Sequence, residues 1–597
     1  MKTTDLQKPV SLPGRSFALA PLGAAILLAT LSAQPVHAVT FSLGEVEGSF
    51  DSSLSIGASW RAAGRDKAYY SIGNGGAAPS NTMDDGTLNF DKHDAFTKTF
   101  KGVHGLSLRY ENIGAFVRGK YWYDFELKDG DQDHGNVVNS YTPGKLSDDG
   151  FHDLAKFSGA EILDAYIYGE FEVANTPIDL RLGRQVISWG ESTFIQGGIN
   201  TINPVDVSAF RRPGAEIKEG LMPVNMLFAS AGLTDNLSVE GFYQLEWEKT
   251  VVDGCGTLFS GADWAADGCN RLAFGSSLPD KFNLTGIPGI APTTFADRTA
   301  ADQEPDDSGQ FGLSTRYFAE SIDTEFGAYY INYHSRLPYV SAIRAAGAHP
   351  AFGGTAAFTG QYTVAYPEDL ELFGLSYQTS VGSWALSGEV SYHPDLPLQI
   401  NGNDLLVAFL TDNPLASPAG VKFAGTSTGS LINGFDEYDV YQIQTTAIQF
   451  FDRVLGASRL SFAAEIGATY VEGLPDATES GNVRYGRATV FGSGAIGEDG
   501  YTTEFAWGYR ARASLAYNDV FAGINLTPSL AWSHDVDGNS PSPAQQFNEG
   551  SKAISLGLGA DYMNLYTANI SYTNYFGGDY NFLTDKDNLS MSLGVSF

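Results

Sequence analysis

NLSMSLGVSF, residues 588–597, is the stretch of this sequence that decides the fold. From residue 589 onward large apolar and small residues alternate without exception. One side carries Leu589, Met591, Leu593, Val595 and Phe597, and the other carries Ser590, Ser592, Gly594 and Ser596. Because successive side chains of a β-strand point to opposite faces, this period of two predicts a strand with one apolar face.

The same alternation recurs along the chain, for example in residues 163–171, where Leu163 falls on the apolar side. Further examples are residues 237–247, 460–470 and 554–562. Short turns alternate with long polar connections, as outer-membrane barrels require. The sequence therefore predicts an all-β chain forming one transmembrane antiparallel β-barrel over residues 39–597. We expect about 14 to 18 strands, long extracellular loops and one inward-folded loop.

A secreted β-sandwich or propeller also alternates and is the alternative fold. Against it, Tyr, Trp and Phe lie near strand ends on the apolar side, and the connections are too long and uneven for propeller blades. A sheet in lipid must also close, because an open edge leaves backbone groups unpaired.

The N-terminus predicts export. Lys2, Lys8 and Arg15 precede an apolar stretch over residues 17–31, and Val36-His37-Ala38 forms an A-x-A-like cleavage site. From this pattern we expect residues 1–38 to be a cleaved signal peptide. The alternative is an uncleaved membrane anchor, but the apolar run is interrupted by Pro21 and Gly23 and is too short for a spanning helix. The mature chain is then expected in the outer membrane of a Gram-negative cell, in contact with its lipids and lipopolysaccharide.

Charge and cysteine content restrict the partners. Asp and Glu outnumber Lys and Arg by 69 to 36, and a formal charge of −33 argues against nucleic acid. The two cysteines, Cys255 and Cys269, predict a disulfide in an oxidising compartment, and no histidine lies nearby to complete a zinc site.

Charged residues on the polar side of the strands are the candidate lumen lining. They are Arg109, Arg118, Lys120, Glu240, Glu389, Glu465, Arg510 and Arg512. Positive and negative side chains together suit a water-filled pore. The alternative is that these charges only form ion pairs with one another and select no solute.

Residues 189–223 form the most unusual segment. They lack alternation, contain three prolines and carry aliphatic and aromatic residues that need cover. We expect this segment to fold into the lumen as a constriction or plug, the alternative being a solvated rim loop. The candidate constriction residues are Glu191, Asp206, Arg211, Arg212, Glu216, Lys218 and Glu219.

Catalytic and metal-binding patterns are weak. Residues 425–429 match G-x-S-x-G but lie in a polar stretch rather than a strand-turn-helix elbow. Asp129, Asp131 and Asp133 begin like a calcium loop, yet His134 and Ser140 stand where glycine and glutamate are required. We therefore expect no enzyme activity, cofactor or metal.

Phe597 ends the chain on an aromatic residue, which resembles the terminal signal that the outer-membrane barrel assembly machinery reads. Residues 41–61, 88–102, 161–171, 182–227 and 237–256 together resemble a proteobacterial family, domain of unknown function 1302, and residues 182–227 are the most specific part. The family implies an outer-membrane barrel encoded near genes for catabolism of steroids, alkanes or other hydrophobic compounds. It also implies a partner from a second secreted family, domain of unknown function 1329.

The leading hypothesis is thus an outer-membrane channel or transporter for a small hydrophobic or amphipathic compound, such as a steroid, alkane or lipid-like molecule. The lumen charges oppose a purely oily substrate, because an oily ligand prefers an apolar path. A general porin for hydrophilic solutes and a structural or adhesive surface protein are the alternatives.

Overall fold

Eighteen antiparallel strands form a closed ring in the computed structural model, which describes residues 39–136, 144–261, 263–273, 279, 295–298, 300–344, 347–348, 361–411, 417–495 and 497–597. The expected signal peptide, residues 1–38, lies outside the described residues. The barrel strands are β1 (Val46–Arg61), β2 (Ala95–Tyr110), β3 (Ile113–Asp124), β4 (Ser158–Val173), β5 (Thr176–Gln185), β6 (Val224–Gly232), β7 (Leu237–Gln244), β8 (Phe311–Ala319), β9 (Thr324–Tyr333), β10 (Leu370–Val381), β11 (Trp384–Gln399), β12 (Phe435–Asp452), β13 (Arg459–Val471), β14 (Phe505–Phe521), β15 (Ile524–Asp537), β16 (Lys552–Tyr562), β17 (Tyr566–Phe576) and β18 (Asn588–Ser596).

The terminal strand closes the ring. β18 pairs with β17 on one side and with β1 on the other, in a register running from Ser53 opposite Ser596 to Arg61 opposite Asn588. Phe597 continues this pairing, because its backbone N–H and C=O bond to Ser52 at 2.9 and 2.7 Å. The barrel prediction is confirmed, and eighteen strands is the upper end of the expected range.

The strands are apolar outside and polar inside. Leu313, Leu375 and Leu593 on the outer face are each more than 60% exposed. Leu163 corrects the sequence-based assignment, since it is buried in the interior rather than outward with Ala165 and Ile167. The register between β3 and β4 shifts there, so an extra residue enters β4 and reverses the local alternation.

Tight turns join the strands at one rim, here called the short-turn rim. Ala174 and Asn175 both have positive φ, as a two-residue hairpin turn requires, and Met563 and Asn564 repeat the pattern. A short N-terminal strand, Val39–Leu43, pairs with the start of β1 at this rim. Both the first described residue and Phe597 therefore lie on the short-turn side.

The opposite, long-loop rim carries most of the remaining secondary structure. Its helices are α1 (Asp85–Asn89), α2 (Phe125–Asp129), α3 (Val207–Arg211), α4 (Ile217–Gly220) and α5 (Gly402–Thr411). Its short strands are Asp131–Gln132, Gly144–Lys145, Arg271–Ala273, Phe295–Asp297, Tyr339–Ile343, Gln361–Ala365 and Leu431–Ile432, and its 3-10 turns are Lys67–Tyr69, Ile72–Asn74, Asp153–Ala155, Pro418–Lys422 and Thr489–Phe491. One further 3-10 turn, Glu320–Ile322, lies at the short-turn rim. Among the described residues, none of these helices has the length and apolarity to cross a bilayer.

Candidate functional site

Residues 189–223, here called the inserted segment, fold into the barrel interior. Ile195, Ile199 and Ile202 are buried, and Ile199 has no exposed surface. Gly374 of β10 permits this close approach, because a Cβ there would lie 2.6 Å from Ile199 Cγ1. The expected inward-folded loop is therefore present, and burial of its aliphatic side chains accounts for its position.

Two carboxylates on the barrel wall hold the first half of the inserted segment. Glu465 accepts the backbone N–H groups of Thr193, Phe194 and Ile195 at 2.8, 2.6 and 2.6 Å. Glu389 accepts the backbone N–H groups of Glu191 and Ile199. Both carboxylates are buried. These charge-assisted bonds satisfy backbone donors that have no strand or helix partner.

Two lysines on the opposite wall hold the second half. Lys120 Nζ lies 2.8 Å from Asp206 Oδ2 and also donates to the Glu219 carbonyl oxygen. Lys101 Nζ lies 2.6 Å from Glu219 Oε1 and donates to the Gly214 carbonyl oxygen. Lys101 was not among the predicted lumen residues. Its position on the polar side of β2, in step with Thr97 and Thr99, was the available signal.

Arg316 is a second lumen residue that the sequence analysis missed. Its guanidinium contacts Glu191 of the inserted segment at 3.5 Å and Glu325 of β9 at 2.9 Å. Glu240 was predicted, and its Oε2 accepts a hydrogen bond from the Trp189 indole N–H at 2.7 Å. Both ends of the inserted segment are thus fixed to the barrel wall by charged side chains.

The other predicted residues lie apart from these anchors. Arg118 pairs with Asp164 inside the barrel, and Arg510 pairs with Asp535. Arg109 pairs with Glu170 close to the short-turn rim, and Glu216 pairs with the partly exposed Lys218 within the inserted segment. Arg512 stands exposed on the interior face of β14, opposite Ala463 and Ala531.

The inserted segment covers the interior unevenly. On β6–β13, here called the covered wall, interior side chains such as Met226, Leu372 and Ser391 are fully buried. On β14–β18, here called the accessible wall, most interior residues in the middle of the strands are small and remain partly or fully exposed, although Ser592 of β18 and Ala506 of β14 are buried. The small residues with exposed surface are Ser514, Ser529, Ala531, Ser555, Gly557, Asn569 and Ser571, and Arg512 is the one large, charged residue among them. Open space therefore runs along the accessible wall.

Arg211 and Arg212 lie on the long-loop side of the inserted segment. Arg212 is close enough to Asp206 and Glu219 to interact with their charges. Arg211 Nε lies 3.1 Å from Asp253 Oδ2, and its guanidinium stacks 4.4 Å from the Phe259 ring centre. Arg212 stacks 4.2 Å from the Trp122 ring centre. The cysteines lie in the same loop as Asp253, and a disulfide joins Cys255 to Cys269 with 6.1 Å between their Cα atoms.

Within the described part of the chain, no cluster of three or more His, Cys, Asp or Glu side chains is arranged to hold a metal. Asp129 instead contacts Tyr123 and Lys145. Ser140 lies outside the described residues. Residues 425–429 lie in a long-loop connection after the Pro418–Lys422 turn, without a strand-turn-helix elbow.

Comparison with known proteins gives a family match over nearly the whole chain. The family described as "Protein of unknown function (DUF1302)" matches residues 19–597, which confirms the resemblance seen in the sequence. A search of curated proteins finds no match to this chain.

Solved structures give only distant likenesses. Acinetobacter baumannii OccAB1 has a TM-score of 0.40 and 8% identity, covering 95% of this chain and 99% of its own. Pseudomonas aeruginosa OccD3 (OpdP) has a TM-score of 0.38 and 10% identity, covering 96% and 97%. Pseudomonas aeruginosa OccK9 (OpdG) has a TM-score of 0.38 and 10% identity, covering 92% and 98%. Values this low carry no assignment of function.

Proposed function

We propose, from the premise that this chain belongs to the DUF1302 family of proteins of unknown function, that it is an outer-membrane channel for a small amphipathic compound. The observation that carries the proposal is the open space along the accessible wall. A closed barrel whose interior was filled on every side would leave no open path for a solute. Here one wall is covered by the inserted segment, while the other presents exposed small residues.

The outer surface supports the membrane location. Apolar side chains such as Leu313 and Leu375 are exposed on the outside of every part of the ring, and a soluble protein rarely leaves so large an apolar surface uncovered. Ring closure pairs the backbone groups that lipid cannot satisfy. In bacterial barrels the long loops face outward, so the long-loop rim would be extracellular and Phe597 periplasmic.

The interior supports an amphipathic rather than an oily solute. Arg512 stands exposed beside the open space, and serine and asparagine side chains line the rest of the accessible wall. A purely apolar molecule would displace water from these groups without replacing their hydrogen bonds. The family resemblance implies a lipophilic compound, and a polar group on that compound reconciles it with this lining.

A general porin for hydrophilic solutes is the second candidate, because the same polar, solvent-exposed lining would also let sugars pass. Proteoliposome swelling in sucrose, together with ion conductance in planar bilayers, separates the candidates. A selective channel conducts ions but admits sucrose slowly, a general porin passes both, and an adhesin passes neither. The absence of ion conductance would contradict the proposal.

Removing residues 196–220 tests the role of the inserted segment. We expect higher conductance and faster sucrose entry, because the anchored span that covers one wall is lost. The control deletion removes residues 476–481, a mostly exposed part of a long-loop connection. Unchanged conductance after removal of 196–220 would show that this segment does not restrict the pore.

We also propose that residues 1–38 are cleaved as a signal peptide. N-terminal sequencing of the barrel purified from outer membranes should then begin at Val39.

A further inference from the structure

A cleft opens at the long-loop rim, where five parts of the chain meet. It lies between the ends of β2 and β3, the connection that follows α2, helix α3 of the inserted segment, and the loop that contains the Cys255–Cys269 disulfide. Its empty volume, including the open mouth, is about 510 Å³. The inserted segment thus links this cleft directly to the lumen.

Aromatic side chains form the walls of the cleft. Phe96, Trp122, Phe157 and Phe259 line it together with Leu258, and all five side chains are buried. Phe96 and Phe259 meet edge to face at 5.7 Å between ring centres. Such a lining favours a flat apolar ring, because rings stack and pack well against aromatic faces.

Arg212 supplies a charge at the edge of these rings. The residue is only 8% exposed, and its Nη2 donates to the Leu154 carbonyl oxygen at 2.8 Å. Among the described residues, no carboxylate oxygen lies within ion-pair distance of its guanidinium, and no group accepts from its other nitrogens. These nitrogens border open space rather than packed protein. Four carboxylates stabilise this charge without an ion pair, those of Asp206, Glu219, Asp124 and Asp253. The spare donors of Arg212 are therefore free to bind an anion directly.

The remaining charges of the cleft already have partners. Arg211 is paired with Asp253. Asp124 accepts hydrogen bonds from Thr97, Thr99 and the backbone at the start of α2. Arg212 is therefore the buried cation of the cleft with donors to spare, whereas Arg211 is ion-paired through its Nε and 40% exposed.

We propose that this cleft binds compounds that join an apolar ring to a carboxylate, with the ring against the aromatic side chains that line the cleft and the carboxylate on Arg212. Guanidinium groups match carboxylates in geometry, and a carboxylate would accept from the Arg212 nitrogens that have no acceptor in the described residues. The inference rests on the proposed function, since it names the substrate class of that channel and places its first contact at the extracellular mouth.

The test measures binding by calorimetry on the full-length barrel in detergent, with 3-phenylpropanoate and its uncharged analogue 3-phenylpropan-1-ol. We expect the acid to bind at least about tenfold more tightly than the alcohol. Arg212→Met should abolish this preference while leaving the affinity for the alcohol nearly unchanged, and Phe259→Ala should weaken both. Arg459→Met, at the exposed short-turn rim, is the matched control.

Equal affinities for acid and alcohol, or a preference that survives in Arg212→Met, would overturn the proposal. So would binding of inorganic phosphate as tight as that of the acid, because the site would then recognise any anion. Arg212→Lys keeps the positive charge and serves as a second variant in case Arg212→Met does not fold. Arg212→Lys should retain part of the preference for the acid over the alcohol. Bilayer conductance is measured separately, so a conducting barrel that fails to bind the acid refutes this inference and leaves the channel proposal standing.

Discussion

The carboxylate of Glu465 and the backbone N–H of Ile195 lie 2.6 Å apart although 270 positions separate them in the chain. Thr193 and Phe194 donate to the same carboxylate. One side chain of the barrel wall therefore holds three consecutive backbone N–H groups of the inserted segment. Because Glu465 is buried, these bonds form away from bulk water, where they are strongest.

Glu465→Gln should loosen the inserted segment. An amide presents a donor where the backbone N–H groups need an acceptor, and hydrogen bonds to a charged group contribute about 1.5–3 kcal/mol each. We expect larger and noisier single-channel currents than in the unmodified protein. Glu170→Gln, whose carboxylate is half-exposed near the short-turn rim, is the control. Currents identical to those of the unmodified channel would refute the anchoring role.

Lys120 and Asp206 should behave as a coupled pair. Both side chains are buried, and Lys120→Met leaves the Asp206 carboxylate without its partner, at a cost of about 3–5 kcal/mol. The double variant Lys120→Met with Asp206→Asn removes both charges and keeps a side-chain acceptor for the Ala209 N–H. Resistance of the folded barrel to heating in detergent, followed by gel mobility, should fall in the single variant and recover in the double variant. Equal losses in both would argue against the pairing.

The alternation of apolar and polar residues predicted the barrel, because the face on which each side chain lies follows directly from its position in the strand. The last strand shows this most clearly. The anchors of the inserted segment were harder. Glu389 and Glu465 were predicted as lumen residues from alternation, but their partners are backbone N–H groups, which leave no pattern in a sequence. The cleft at Arg212 draws on five separate parts of the chain, so no local motif could reveal it. Leu163 was misplaced because a bulge interrupts the period that the prediction used.

Asp263, in the loop that contains the disulfide, should make that loop sensitive to pH. Burial raises the pKa of Asp263 to about 7. An acid whose pKa is raised in the folded state stabilises least above that pKa, where it must ionise while buried, and the penalty disappears as pH falls toward its usual value near 4. Asp263→Asn should therefore slow hydrogen exchange in residues 251–261 at pH 8. The expected change in the free energy of local opening is on the order of 2–4 kcal/mol at pH 8, with little effect at pH 4. A difference independent of pH would contradict this assignment.

Phe597 should matter for assembly more than for transport. Its backbone closes the ring against Ser52, and any residue can make those two bonds. Phe597→Ala should therefore lower the amount of folded protein in outer membranes, if the assembly machinery reads the terminal aromatic side chain. The same variant refolded in detergent should conduct normally. Wild-type levels in the membrane would remove the proposed signal.

The passage along the accessible wall is the central claim, and cysteine accessibility tests it most directly. The described residues contain no free cysteine, so an introduced thiol is the only reactive one there. Ser571→Cys lies on the accessible wall and Ser391→Cys on the covered wall. A bulky, charged thiol reagent should cut the single-channel conductance of Ser571→Cys by roughly a third or more and leave Ser391→Cys unchanged. Block at Ser391→Cys without block at Ser571→Cys would place the pore on the other side of the inserted segment and contradict the account.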